Sequence, residues 1–168
     1  QINKHTPTTD IYTSTPSSAA SDVYKRQEYY CAYQDRCHKE VTKKLKDMRM
    51  IPQSIDHIIN HLIQEDFLNE ERFAKSFVRG KFNIKNWGRV RISNELKQRD
   101  ISTFNINIAL KEIDDTQYMA KLHAIAKKKV TQLNELNKNV KKKKLSNYLL
   151  YRGWESHLVY DQIRLLIK

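Results

Sequence analysis

The sequence predicts an all-α protein of three tandem three-helix repeats that form an elongated, curved array. Only three Gly and three Pro occur among 168 residues, too few turn-formers for a sandwich or barrel of many short strands. From Glu28 onward the apolar residues recur at helical spacing almost throughout. The pattern also repeats. A shift of 51 residues carries Val41, Leu45 and Met50 onto Ile92, Leu96 and Ile101, and Ile55, Ile58, Ile59 and Leu62 onto Ile106, Ala109, Leu110 and Ile113. A further shift of 53 carries Ile92, Leu96 and Ile101 onto Leu145, Leu149 and Trp154, and Ile106, Leu110 and Ile113 onto Val159, Ile163 and Leu166.

The elements follow in order. Residues 28–36 read as the end of a first helix, and 38–48 as a second with Val41 and Leu45 on one face. Pro52 suits the first turn of a third helix, whose Ile55, Ile58, Ile59 and Leu62 make an i, i+3, i+4, i+7 stripe. Asn69 is a candidate N-cap for the next helix, which runs through Phe73, Phe77 and Val78. Each copy is then a long helix, a short basic helix, a tight connection and an apolar-striped helix. A unit this small cannot bury its own stripe, whereas stacked units can. The repeats are expected to span 28–80, 81–130 and 131–168.

Residues 1–27, QINKHTPTTDIYTSTPSSAASDVYKRQ, have the Ser-, Thr- and Pro-rich composition of a disordered tail. Ser17 to Gln27, SSAASDVYKRQ, is the in-frame translation of a transposase-type sequencing-library adapter. The preceding TTDIYT is similar to the translation of the flow-cell adapter, and the chain begins with Gln, not Met. This segment is therefore read as an artefact and set aside from functional reasoning. The natural chain is expected to start upstream of Glu28.

The formal net charge is +12 and the pI about 9.7. Without Lys4, Lys25, Arg26, Asp10 and Asp22 of the set-aside segment the charge is still +11. Such a balance points to an acidic partner: nucleic acid, an anionic protein groove or an anionic membrane surface. No apolar run reaches the ~18 residues of a membrane span, and the first thirty residues hold no apolar signal-peptide core. Cys31 and Cys37 do not make a disulfide framework, so reduced thiols in a cytosolic protein are expected.

The sequence has no Gly-rich phosphate loop, no HExxH and no nucleophile elbow. Cys37 and His38 are neighbours in sequence, which does not make them a catalytic pair. No catalytic residue and no cofactor are expected. His57, His61 and Glu65 share a helix face that can hold a metal, but Ile58, Ile59 and Leu62 claim the core side and no second ligand cluster follows. Surface histidines are expected there. The acidic stretches at 64–66 and 112–115 lie near helix ends, where they suit the start of the next helix.

The basic residues carry the stronger signal. NWGRVRISNELKQRDIS, Asn86 to Ser102, holds Arg89, Arg91, Lys97 and Arg99 beside Trp87. At about 100° per residue, with Ile92 and Leu96 buried, Arg91 and Lys97 project to opposite flanks. Arg89 and Arg99 lie nearer the apolar stripe at the helix ends, where long side chains reach water. Gly88 is expected to permit a sharp start to the helix. Further clusters lie at Lys127, Lys128 and Lys129 and at Lys141, Lys142, Lys143 and Lys144, the latter falling on Gly88 to Arg91 under the 53-residue shift. Arg152 follows in the third copy. Basic segments in corresponding parts of a repeat can line one surface and meet a phosphate backbone or acidic side chains.

NWGRVRISNELKQRDIS resembles the central signature of the regulatory RecX family, a Trp/Tyr-Gly-x-x-x-Ile-x-x-x-Leu pattern with a basic turn. FLNEERFAKSFVRGK, Phe67 to Lys81, is similar to the family's segment just before it. YCAYQDRCHKEVTKKL, Tyr30 to Leu45, and YLLYRGWESHLVYDQI, Tyr148 to Ile163, resemble its first and third repeats. The family usually has Gly after the basic helix; Gly153 matches, but Arg49 and Asp100 stand in the first two copies, which puts their turn geometry in doubt. The resemblance implies three tandem three-helix repeats, binding in the groove of the RecA–single-stranded DNA filament, and restraint of ATP hydrolysis, strand exchange and repressor cleavage. It implies a non-enzymatic, monomeric, cytoplasmic regulator of recombination, DNA repair and the SOS response. Single-stranded DNA is a partner directly or within the filament, duplex DNA a further one; no membrane is involved. Trp87, Arg89, Arg91, Lys97, Arg99, Lys127, Lys128, Lys141–Lys144 and Arg152 are the expected contact residues, with Trp87 favoured as packing at a repeat junction. The rival reading is a stand-alone helix-turn-helix DNA-binding protein, whose basic helix would enter a duplex groove.

Overall fold

A computed structural model describes residues 18–167, and their regular structure is entirely helical. The nine helices are α1 (Ser18–Tyr33), α2 (His38–Asp47), α3 (Pro52–Gln64), α4 (Glu70–Lys85), α5 (Arg89–Lys97), α6 (Thr103–Leu110), α7 (Asp115–Gln132), α8 (Lys138–Tyr151) and α9 (Ser156–Leu166). They pack in threes: α1–α3, α4–α6 and α7–α9. The long helix therefore opens each unit. The expected boundaries at 80/81 and 130/131 cut through α4 and α7; the packing puts them near Asn69 and Asp114. The misplacement has a simple cause. The repeated stripe lies on the second and third helix of each unit, and the long helix shows no comparable recurrence.

The local chemistry sets the helix ends. Pro52 sits at the start of α3. Asn69, Ser102, Asp114 and Asn137 cap α4, α6, α7 and α8 by accepting backbone N–H donors. The turn after the second helix is the same in all three units. Arg49, Asp100 and Gly153 have φ of 59°, 61° and 81°. In each, the next amide reaches back to the equivalent Leu: Met50 N to Leu45 O at 3.2 Å, Ile101 N to Leu96 O at 3.2 Å, Trp154 N to Leu149 O at 3.3 Å. This is a Schellman closure. The departures at Arg49 and Asp100 thus leave the turn geometry unchanged, and two non-glycine residues accept the left-handed conformation.

The repeat positions form the core. Val41, Ile92 and Leu145 are fully buried, as are Leu45, Leu96 and Leu149. Two apolar clusters result. One, with Cys31, Val41, Leu45, Ile55, Ile58, Leu62 and Leu68, belongs to the first unit. The other runs continuously through the second and third units. Cys37, from the first unit, is buried in this second cluster, and burial pushes the Cys31 and Cys37 thiols above the usual range.

The last ten residues of the expected tail, Ser18–Gln27, are helical as the start of α1. Gln27 is fully buried and donates Nε2 to Met48 Sδ at 3.7 Å, and Val23 and Tyr24 pack on the first unit's core. The stretch lacks Gly and Pro and sets Val23, Tyr24 and Gln27 towards one side, so a helix running back from Glu28 extends through it. Residues 1–17 lie outside the described residues.

Candidate nucleoprotein interface

The second and third units meet through backbone. A helix begins with amides that have no partner of their own, and α5 takes its partners from the third unit. Gly88 N donates to Arg152 O at 2.9 Å, Val90 N to Gly153 O at 3.1 Å, and Arg89 N to the Tyr118 hydroxyl at 2.9 Å. The Tyr118 hydroxyl in turn donates to Glu155 Oε2 at 2.6 Å. Its ring is buried at 4.5 Å from Trp154 and 5.8 Å from Phe82. Burial and the Glu155 carboxylate push its phenol far above the usual range. Lys121 donates to Phe82 O at 3.1 Å and Asn83 O at 3.2 Å, closing the end of α4, and desolvation lowers its pKa.

Gly88 serves this junction in a way the sequence did not suggest. Its φ of −80° is ordinary, so no sharp start is involved. A Cβ there would stand 2.2 Å from Gly153 O and 2.6 Å from Trp154 N. Both glycines are present because two backbones touch.

The expected contact residues separate into three groups. Arg89 is engaged inside the molecule: it donates to Ile113 O at 3.0 Å and Asp115 Oδ1 at 2.6 Å and lies 4.2 Å above the Tyr118 ring. Arg99 donates to Glu95 O at 2.7 Å and Glu95 Oε2 at 2.9 Å and lies over Phe77. These two did not end at water, because each helix end carries acceptors that fit a guanidinium. Lys97, Lys127, Lys128, Lys143 and Lys144 are exposed, with Lys144 paired to Glu135. Lys141 and Lys142 are half-buried.

Trp87, Arg91 and Arg152 come together at the junction surface. Trp87 packs on the shared core. The Arg91 guanidinium lies 4.1 Å from the Trp87 ring and 4.8 Å from the Tyr151 ring, and donates to Tyr151 O at 3.1 Å. Arg152 lies 4.6 Å from the Tyr148 ring, with Lys129 at 4.9 Å, and donates to Lys85 O at 2.8 Å. The result is a seam of alternating cations and aromatic rings. Sequence reasoning missed Tyr148 and Tyr151. At 100° per residue both fall on the α8 face that carries Lys141 and Lys144, so the signal was there. Tyr118, Lys121 and Glu155 had no such signal.

Elsewhere His61 Nε2 pairs with Glu28 Oε1 at 2.7 Å across α1 and α3, and His57 is exposed. Among the described residues no helix is long and apolar enough to cross a membrane.

Three-helix units docked in tandem, with a basic and aromatic surface along one junction, define a tandem helical-repeat protein. Its relatives agree. The model of the second three-helix domain of RecX matches residues 69–110, and that of the third matches 115–163, together more than half of the chain. The chain belongs to the RecX family. A regulatory protein RecX of Pelodictyon phaeoclathratiforme is 29% identical over 128 residues, covering 76% of this chain and 78% of that protein. One of Lactobacillus johnsonii is 26% identical over 163 residues, covering 93% of this chain but only 59% of that protein. The crystal structure of RecX from Lactobacillus salivarius superposes with a TM-score of 0.75 at 28% identity, covering 88% of this chain and 96% of that one.

Proposed function

We propose that this chain regulates RecA by lying along the RecA–single-stranded DNA filament, and that its main effect is inhibition. The observation that carries the reading is the backbone-bonded junction of the second and third units, with its seam of cations, in a chain of the RecX family. Units held in fixed register can touch successive filament subunits, and modest contacts then add through effective concentration. Lysines and arginines supply attraction to phosphate or acidic side chains, a contribution that falls with salt. In this reading the chain is a non-enzymatic, cytoplasmic monomer. Arg91, Lys97, Lys127, Lys128, Lys141–Lys144 and Arg152 face the filament, while Arg89 and Arg99 shape the units that present them.

The test is single-stranded-DNA-dependent ATP hydrolysis by the cognate RecA during titration with the full chain, with binding to naked DNA followed in the same buffer. Inhibition well below the concentration that coats free DNA supports a filament-directed regulator. Inhibition only at saturation of naked DNA means competition for substrate and favours the stand-alone DNA-binding reading. Charge reversal at Lys127, Lys128 and Lys143 should weaken inhibition without unfolding. Reversal at Arg89 would break its contacts with Asp115 and Tyr118 and report on folding instead.

A further inference from the structure

We infer that Tyr151 is a base-stacking platform, and that the α8 face leading to it is a track for single-stranded nucleic acid. The inference deepens the reading above, on which it rests for its place in the molecule, but its test needs no RecA. Three observations carry it.

The first is openness. Trp87 and Tyr148 each have two cations at their rings: Arg91 and Lys81 at Trp87, Arg152 and Lys129 at Tyr148. Among the described residues Tyr151 has one, Arg91, and the residue is 76% exposed. The stack Trp87–Arg91–Tyr151 therefore ends on an aromatic ring that faces solvent. A flat, π-faced ligand continues such a stack, and every nucleobase has that face.

The second is preparation. An exposed tyrosine ordinarily loses side-chain freedom when it binds. Here Arg91 holds the residue from two directions, with its guanidinium 4.8 Å from the ring and its Nη1 donating to the Tyr151 carbonyl at 3.1 Å. Much of that ordering cost is met within the free protein. The Trp87 ring 4.1 Å from the guanidinium fixes Arg91 in turn.

The third is charge along the same face. With Leu145 and Leu149 buried, Lys141, Lys144, Tyr148 and Tyr151 fall on one side of α8 at 100° per residue, over about 15 Å of helix. Two cations leading to an open ring, the half-buried Lys141 and the exposed Lys144 with its Glu135 partner, match what a single strand offers: phosphates at regular spacing and bases free to turn outward. Duplex DNA keeps its bases stacked internally and cannot use the ring. An acidic peptide could follow the lysines but has no base to lay on Tyr151.

The experiment is fluorescence anisotropy with three labelled probes of equal length: oligo(dT), an abasic deoxyribose-phosphate oligomer, and a duplex. The full chain is compared with Tyr151→Ala, Tyr151→Phe and Tyr33→Ala. Tyr33 is equally exposed, at 77%, but lies on α1 beside Tyr29. Tyr151→Ala should weaken oligo(dT) binding at least fivefold, the low end for one stacked base, and leave the abasic and duplex probes within about twofold. Tyr151→Phe, which keeps the ring, should stay within about twofold on all three probes. Unchanged oligo(dT) binding by Tyr151→Ala overturns the platform. So does an equal loss on the abasic probe, which would assign the effect to the sugar-phosphate backbone and not to a base, or a loss confined to Tyr33→Ala, which would move the site to the first unit. RecA inhibition in the same variants separately tests the filament reading, which stands or falls without the stacking site.

Discussion

At Gly88 a single methyl group decides whether two units can dock. The nearest atoms to its missing Cβ are Gly153 O, Gly153 C and Trp154 N, at 2.2, 2.5 and 2.6 Å. All are backbone and cannot rotate away. Gly88→Ala should cost about 3 kcal/mol or more, at the upper end for overpacking, measured by urea unfolding. Gly80→Ala is the contrast. Its Cβ meets nothing within 4 Å inside α4, so it should stabilise by about 1 kcal/mol through helix propensity. Glu70 gives the pH dependence. Burial opposes its ionisation, yet Ser102 N at 2.6 Å and Asn105 Nδ2 at 3.0 Å favour the carboxylate, and its pKa is lowered. A lowered folded-state pKa contributes stability that is present above the ordinary glutamate range and lost as pH falls through the folded value. Unfolding measured below about pH 4.5 should show this loss, and Glu70→Gln should flatten it.

At the scale of one helix, α8 is built against its own dipole. It starts with Lys138, carries Lys141–Lys144 in its next turn and has no acidic residue in its first turn. Cations near a helix N-terminus oppose its partial positive charge. Asn137 compensates by accepting from Asn139 N at 2.9 Å and Val140 N at 3.3 Å. Lys138→Glu should raise thermal stability by about 0.3–1 kcal/mol, while making the chain bind anionic partners less well. A variant that gained stability and kept full affinity for oligo(dT) and RecA filaments would show that the lysines at this end do not face the ligand. The threefold pattern was legible at this scale from the apolar positions: Leu45, Leu96 and Leu149 are buried alike. The long helices were legible only as helices. Some of their side chains are used between units, Phe82 on Tyr118 and the half-buried Lys121 on Phe82 O, while Tyr118 also packs on Trp154 in its own unit, so nothing in their spacing recurs.

Across the whole molecule the two junctions differ in kind. The second and third units share one apolar core through Phe82, Tyr118 and Trp154. Apart from Cys37, which is buried in the shared core, the first unit has its own core and joins the second through polar contacts: Arg72 to Asp35 at 2.9 Å and to Asp66 at 2.8 Å, and Lys39 to Gln98 O at 2.7 Å. Partly and fully exposed polar contacts of this sort contribute little and weaken with salt. The first unit should therefore open separately. Both tryptophans, Trp87 and Trp154, belong to the shared core, so tryptophan fluorescence reports the second and third units while far-ultraviolet circular dichroism reports all three. The two probes should give different urea midpoints, with circular dichroism changing first, and the gap should widen with salt. Coincident transitions would mean a single cooperative block.

The sequence by itself determined the helical class, the threefold order, the helix starts at Pro52 and Asn69, the basic character and the family resemblance, because all of these rest on residues close in the chain or on a repeated spacing. Only the tertiary structure decided what the arginines do. Arg89 and Arg91 are two residues apart in one basic helix, yet Arg89 is spent on Asp115 and Tyr118, and Arg91 lies between Trp87 and Tyr151 at the surface. Helical spacing tells which side a residue faces within its own unit. What stands opposite is set by the dock at Gly88 and Gly153, 65 positions apart, and no local pattern encodes that meeting.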